Sequence, residues 1–347
     1  METRIRIVVL LSIVLPVSVS AEARDRIVIA HRGASGYLPE HTLAAKAMAY
    51  ALGSDFIEQD LVMTRDDRLV VLHDLYLDRI SDVQTVFPGR QRANGRFYAI
   101  DFTLKEIRML AVSERYRIAG GKKVAVYPGR FPLGQSRFRV HTFEEEVELI
   151  QGLNHSTGKQ VGLYPELKQS KFHRNEGKDL ARAVLKVLKQ YGYTAKRDKV
   201  FVQSFEFDEV RRLHDTLLPS MGMDLRIVFL VSGGKSFSWV SLPGGMETIA
   251  KHADGIGPSV SMLVDKASKP GDVRLTGLVR AAHRAGLVVH PYTFRLEQAA
   301  LPSFAASPDQ LLEILWNRAH IDGLFTDFPD RVDLFLKNSE SKAPHGP

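Results

Sequence analysis

The chain has 347 residues, 44% of them apolar and 25% charged, which is enough apolar material for one large domain or two ordinary ones and excludes a disordered chain. It has no cysteine, so neither a disulfide framework nor a thiolate nucleophile is available. The 47 Lys and Arg residues against 40 Asp and Glu make it mildly basic, with no tract of five or more like charges and no motif that points to nucleic acid.

In chain order, Arg4 and Arg6 precede an apolar run from Ile7 to Val19, and Ala21-Glu22-Ala23 offers a small-residue cleavage site. Residues 1–23 therefore read as a secretory signal peptide, because the run is shorter than the roughly 20 residues of a membrane-spanning helix. The expected mature chain, 24–347, is exported and has no stable membrane insertion.

A short apolar strand at Ile27–Ala30 runs into His31-Arg32-Gly33, through a turn built on Gly33, Gly36 and Pro39, and into a helix near Thr42. Further strand candidates lie at 55–60, 69–73, 161–167, 200–204, 226–231, 255–257, 287–292 and 323–326. Helical segments near 143–153, 178–191, 207–217, 271–285 and 308–319 separate most of them. This alternation predicts parallel strands joined by helical crossovers, an α/β fold, and the count suits a closed (β/α)8 TIM-type barrel. Nine candidates leave one surplus, and Gly255–Gly257 is the weakest. Residues 61–68 are too few for a crossover helix.

Residues 74–141 are different in kind: one clear helical piece, Thr103–Leu110, stands among Gly, Pro, Arg and aromatic residues. A structureless loop of that length is unusual in a compact domain, so an inserted subdomain after the third strand is expected. It suits a cap over substrate, or alternatively a packing collar or a homodimer contact.

In a parallel barrel every strand delivers its last residues to one face. That face would receive His31 and Arg32, then Glu58 and Asp60, then His73 and Asp74, then Glu166 and Lys168. Glu58 and Asp60 are two apart on a strand and point the same way, where two carboxylates repel unless one is protonated or a cation lies between them. With Glu166 they make an oxygen donor set that favours Ca2+ or Mg2+ over zinc. His31 and His73 suit acid and base work on a phosphodiester, with Arg32 and Lys168 neutralising the phosphoryl oxygens. Zinc ligation by the two histidines is the competing reading. Phe205, Tyr292 and Phe328, near strand ends, are candidates to line the pocket, with packing as their alternative role.

The blocks HRGASGYLPEHT, GSDFIEQDLVMTRDDRLVVLHD, YPELK, DGIGPS, VVHPYT and GLFTDFPD, in this order, resemble the signature of the glycerophosphodiester phosphodiesterases, most closely their periplasmic branch. The likeness runs from about Ile27 to Leu336. It implies a Ca2+-dependent barrel enzyme, periplasmic in location, acting on a small glycerophosphodiester such as glycerophosphocholine or glycerophosphoethanolamine and releasing sn-glycerol 3-phosphate and an alcohol. Carried across, His31 is the base, His73 the acid, Arg32 and Lys168 fit the phosphate-binding positions, and Glu58, Asp60 and Glu166 hold the metal. The resemblance also implies attack by the substrate's own glycerol 2-hydroxyl through a cyclic phosphate. His41 and Ser54 depart from the common Asn and Ala, with no expected contact to the chemistry, and Val231–Gly245 matches nothing in the pattern.

Overall fold

A computed structural model describes residues 26–340. The expected signal peptide at 1–23 lies outside the described residues. The strands in chain order are β1 (Ile27–Ala30), β2 (Phe56–Met63), β3 (Leu69–Val71), β4 (Tyr116–Ala119), β5 (Lys122–Ala125), β6 (Gly162–Leu167), β7 (Phe201–Ser204), β8 (Arg226–Val231), β9 (Gly255–Pro258), β10 (Val288–Val289) and β11 (Gly323–Thr326).

Eight of these run in the spatial order β10-β9-β8-β7-β6-β2-β1-β11, every neighbouring pair parallel. The ring closes between its first and last members through Asp322 N to Val289 O at 3.0 Å and Phe325 N to Pro291 O at 3.0 Å. The architecture is therefore the eight-stranded parallel barrel, with alternating helices outside it.

The surplus strand is β3, and Gly255–Gly257 is a full member of the ring. β3 pairs with β2 in antiparallel register, Leu61 opposite Val71 and Met63 opposite Leu69. β2 runs three residues past Asp60, and a turn from Thr64 to Arg68, closed by Thr64 N to Arg68 O at 2.9 Å, folds the chain straight back. A reversal this short permits only an antiparallel partner. His73 thus stands at the end of a hairpin leaning on the barrel, not at the end of a barrel strand.

The helical layer follows from amphipathic spacing and caps. Helix 180–190 buries Leu180, Ala181, Val184, Leu185, Val187 and Leu188 along one face, and the Asp179 side chain accepts from Arg182 N at its start. Helix 143–157 starts on a Thr142–Glu145 capping box and ends at Gly158, whose φ of 73° glycine adopts without steric cost. Inside the ring, Ile29, Phe56, Tyr164, Phe201, Val228 and Phe325 fill the barrel floor, and Tyr164 stacks on Phe201 at 4.9 Å.

Residues 74–141 pack as a layer with an apolar core of its own. Leu75, Leu77, Ile80, Val83, Phe102 and Ile107 are buried against Val62, Val70 and Leu72 on the outer face of the β2–β3 hairpin. The helical piece expected at 103–110 is a short helix, Leu104–Ile107, with Thr103 and Glu106 as a capping box.

Candidate active site

The first site segment leaves β1. His31 N donates to Thr326 O at 2.9 Å, and the chain then turns sharply at Arg32 and Gly33. Gly33 has φ +85° and packs where a Cβ would lie 2.8 Å from the carbonyl carbon of Ala45, so both its conformation and its contact require glycine. Arg32 itself sits at φ 59°. Its backbone N–H donates to Glu58 Oε2 at 2.6 Å, so the turn closes over the acids of β2.

Each of the two histidines is held at Nδ1 by a carboxylate. His31 Nδ1 lies 2.6 Å from Asp327 Oδ1, and His73 Nδ1 lies 2.8 Å from Asp74 Oδ1. Such a partner fixes the tautomer and leaves the Nε2 lone pair for chemistry. Burial lowers His31 to about 4, with Arg32 in the same direction and Asp327 opposing. It lowers His73 to about 4 as well, with Arg32 and Lys168 adding to the fall. Both imidazoles are neutral at pH 7.

The orienting carboxylates are themselves held. Asp327 Oδ2 accepts from Arg130 Nη2 at 2.7 Å and from Arg295 Nε at 2.7 Å. Asp74 Oδ2 accepts from Arg115 Nη1 at 2.7 Å. Arg115 also grips Glu40, through Nη2 at 2.6 Å and Nε at 3.0 Å, and Glu40 in turn accepts from Arg32 Nη1 at 3.0 Å. One continuous chain of ion pairs therefore links Arg32 to His73.

Glu58 and Asp60 both line the cavity, whereas Gln59 turns to the outer side of β2 and donates to Glu146 Oε1 at 2.9 Å. Behind β2, the buried Lys46 pairs with Glu146 at 3.0 Å and donates to the carbonyl of Glu58. Asp60 and Glu166 lie side by side across the β2–β6 ladder, and Lys168 Nζ is 2.8 Å from Glu166 Oε1 and 3.5 Å from Asp60 Oδ1. Burial pushes Glu58 well above the usual carboxylate range, with Asp60 adding to the shift. Burial also pushes Glu166 up to about 8, with Lys168 opposing and Asp60 assisting. Burial acts to raise Asp60 too, but Lys168, His73 and His41 together hold it well below the usual range.

This donor set fits a hard divalent cation. Asp60 Oδ1 is buried without a hydrogen-bond partner, and burial raises the neighbouring Glu58 and Glu166 carboxyls, Glu166 to about 8, so positive charge added among them favours their ionised forms. The donor atoms of His41, Glu58 and Asp60 fall within 4.8 Å of one another, with Glu166 adjoining through Asp60.

That placement corrects the sequence reading of His41, for which no contact with the chemistry was expected. His41 Nε2 lies 2.7 Å from Asp60 Oδ2, and burial lowers the ring to about 3. Its φ of 56° turns the side chain inward, which no local pattern announces. Arg115, Arg130 and Arg295 were also missed, because each reaches the site from a loop. Asp327 carried a signal that sequence reasoning did not use: an acid directly after β11, on the same barrel end as His31.

The cavity has a volume of about 360 Å3 and is lined by both histidines, the three acids, Arg32 and Lys168. Phe205 and Tyr292 form part of its wall, their rings 5.7 Å apart and edge-on. Phe237, from the unmatched stretch 231–245, packs behind Phe205 at 6.4 Å. Phe328 does not line the cavity. It packs edge-on against Tyr37 at 5.2 Å and over Gly36, so it supports the β1 turn from behind, and Phe325 stands in the wall instead.

Residues 31–331 match the model of the glycerophosphoryl diester phosphodiesterase family. The chain belongs to that family. It is 50% identical over 330 residues to a glycerophosphodiester phosphodiesterase of Haemophilus influenzae, covering 90% of each chain. To the corresponding enzyme of Treponema pallidum it is 42% identical over 331 residues, covering 90% of this chain and 92% of the relative. A phosphodiesterase structure from Oleispira antarctica, in complex with the product sn-glycerol-3-phosphate, has the same barrel: TM-score 0.61, 21% identity, 90% of this chain and 96% of that one. The crystal structure of a family protein from Silicibacter pomeroyi superposes with TM-score 0.68 at 22% identity, covering 91% and 95%. The cavity of this phosphodiesterase sits at the carboxyl ends of its barrel strands, the end at which barrel enzymes carry their chemistry.

Proposed function

We propose that the chain hydrolyses glycerophosphodiesters such as glycerophosphocholine and glycerophosphoethanolamine to sn-glycerol 3-phosphate and the free alcohol. The observation that carries this reading is the pair of carboxylate-held imidazoles, His31–Asp327 and His73–Asp74, in one cavity with Arg32, Lys168 and a cluster of three acids. Two positioned imidazoles supply a base and an acid, the requirement of a reaction that takes a proton from one oxygen and gives a proton to another. The product in the Oleispira antarctica structure supports the choice of glycerol phosphate.

In this reading Arg32 and Lys168 bind the phosphoryl oxygens. Neutral His31 removes the proton from the substrate's glycerol 2-hydroxyl as that oxygen bonds to phosphorus. The alcohol oxygen leaves with a proton from His73, and water then opens the cyclic phosphate with the roles of the two histidines reversed. His73 must carry a proton for this step; burial is the chief cause that lowers the ring, and the phosphodiester anion works against it by offsetting Arg32 and Lys168, the cations that depress it further. Glu58, Asp60 and Glu166 would hold Ca2+, with Mg2+ as the alternative; when bound, the ion polarises a phosphoryl oxygen and stabilises developing charge. Arg4, Arg6 and the apolar run to Val19 support export to the periplasm.

The test is incubation of the purified chain with glycerophosphocholine and Ca2+, coupling any sn-glycerol 3-phosphate to its dehydrogenase. Turnover that disappears in His31→Gln and His73→Gln supports the assignment. Absence of product with any divalent ion refutes it, and a histidine variant retaining most of the activity refutes that residue's role.

A further inference from the structure

We infer that His214, Asp215 and His252 form a second metal site, on the outer helical layer, for a borderline divalent cation such as Zn2+. None of the three lines the catalytic cavity. Two imidazoles converge there on a single carboxylate oxygen: His214 Nδ1 lies 2.7 Å and His252 Nδ1 3.1 Å from Asp215 Oδ1. The three donor atoms all fall within 4.8 Å of one another, and the two rings stand perpendicular with centroids 5.4 Å apart.

The spacing suits a tetrahedral ion. Bonds of about 2.0–2.1 Å put neighbouring ligand atoms roughly 3.3 Å apart, so the two nitrogen–oxygen separations of 2.7 and 3.1 Å need to open by about 0.6 and about 0.2 Å. The donor types select the metal. Two nitrogens and one oxygen suit zinc, whereas Ca2+ and Mg2+ take oxygen shells. A fourth position remains for water, since His214 and Asp215 side chains are 50% and 48% exposed.

Local structure supports a built arrangement. Helix 207–212 continues into a π-helical segment, Leu213–Leu217, which carries both His214 and Asp215. Such wide turns are rare and recur at functional sites. His252 follows helix 245–250 and stands just before β9, and its ring is flanked by Phe207 at 6.1 Å. An ion bound here joins two helical segments that are far apart in sequence. It stabilises the fold by mass action and takes no part in phosphodiester chemistry. The inference is independent of the proposed reaction.

The experiment titrates Zn2+ into the full chain with Ca2+ in excess, comparing wild type with His252→Ala and Asp215→Asn by calorimetry and thermal melting. Zinc taken up by the catalytic acids is common to all three proteins. The expected result is one zinc equivalent fewer in each variant, or binding weakened by about 10-fold or more. Zinc should raise the melting temperature of wild type more than that of the variants, with hydrolysis in Ca2+ unchanged among them. Equal zinc stoichiometry and affinity in wild type and both variants overturns the site. So does an equal rise in melting temperature.

Discussion

Arg130 and Asp327 are 197 positions apart in the chain and 2.7 Å apart at the active site. Arg130 belongs to the layer formed by residues 74–141, and Asp327 holds the imidazole of His31. That layer therefore reaches the candidate site through an arginine that neutralises and fixes the orienting carboxylate. Replacing Arg130 with Met removes one of three partners of Asp327, leaving His31 and Arg295 in place. The fold should lose about 1–3 kcal/mol, the cost of depriving a buried charged group of a partner. Misplacement of His31 should lower kcat by up to about 100-fold with little change in KM. Steady-state kinetics and urea melts check both, and an unchanged kcat would remove the orienting role.

Arg115 does the same for the other histidine. Its guanidinium spans Glu40 and Asp74 with three hydrogen bonds, a fork that a lysine ammonium cannot reproduce. Arg115→Lys is accordingly expected to fall nearly as far as Arg115→Met, by about 10- to 100-fold in kcat, part of what a positioned acid contributes. Full activity in the lysine variant would mean that charge alone suffices and that the fork geometry is incidental.

These two arginines mark where sequence reading stopped. Runs such as IVIA and RIVFLV announce buried strands because β-strands inside a barrel are apolar on both faces. Alternation gave Glu58 and Asp60 a shared face, and both line the cavity. The hairpin β2–β3 was misread because apolar periodicity carries no strand direction. Gly255–Pro258 looked weak for a steric reason. A Cβ at Gly255 would lie 2.6 Å from Val288 Cγ2 and one at Gly257 2.5 Å from Leu230 Cδ2, so close strand packing demands residues with no β propensity. Arg115, Arg130 and His41 were not legible because their partners are chosen by tertiary contact and by backbone angles that neighbouring residues do not encode.

Proton release should accompany cation binding. Glu166, pushed up to about 8 by burial, carries a proton at pH 7 in the metal-free site, and Glu58 is raised as well. A cation binds the ionised forms, so affinity should rise with pH from about 6 to 8, by up to about 10-fold per unit for one coupled proton. Calorimetry of Ca2+ binding in buffers of different ionisation enthalpy counts the protons directly. Binding that is independent of pH across that range would argue against these carboxyls as ligands.

Acid stability can be assigned to His290 on the barrel floor. The ring is buried, and its Nδ1 lies 2.8 Å from Tyr164 Oη. Burial lowers it from 6.5 to about 4, with Asp322 opposing and Arg226 assisting. Because the folded value is the lower one, the unfolded chain binds more protons between these two pH values. Its contribution to stability is complete above about 6.5 and is lost as pH falls towards about 4. His31 and His73 are lowered in the same direction and share the window, and His41, lowered to about 3, extends it downwards. His290→Gln should flatten the fall in unfolding free energy between pH 6.5 and 4 by at most about 3 kcal/mol. Urea titrations at several pH values measure it, and an unaltered slope would show that His290 is not the group responsible.

The turn that carries His31 and Arg32 rests on Phe328, and this contact gives a stability test aimed at the site. A Cβ at Gly36 would lie 2.3 Å from Phe328 Cε1, a separation that a ring fixed between Tyr37 and Arg130 cannot accommodate without moving. Gly36→Ala should therefore destabilise the fold by about 1–3 kcal/mol, as overpacking does elsewhere. Because Gly36 N donates to Asp327 O at 2.9 Å, displacement of this turn should also disturb the His31–Asp327 pair and lower kcat. The double variant Gly36→Ala with Phe328→Leu distinguishes the cause, since the shorter side chain removes the ring the new methyl would meet. It should recover much of the stability lost in the single variant. If it is no more stable than Gly36→Ala alone, the loss arises from the backbone of the turn and not from the clash.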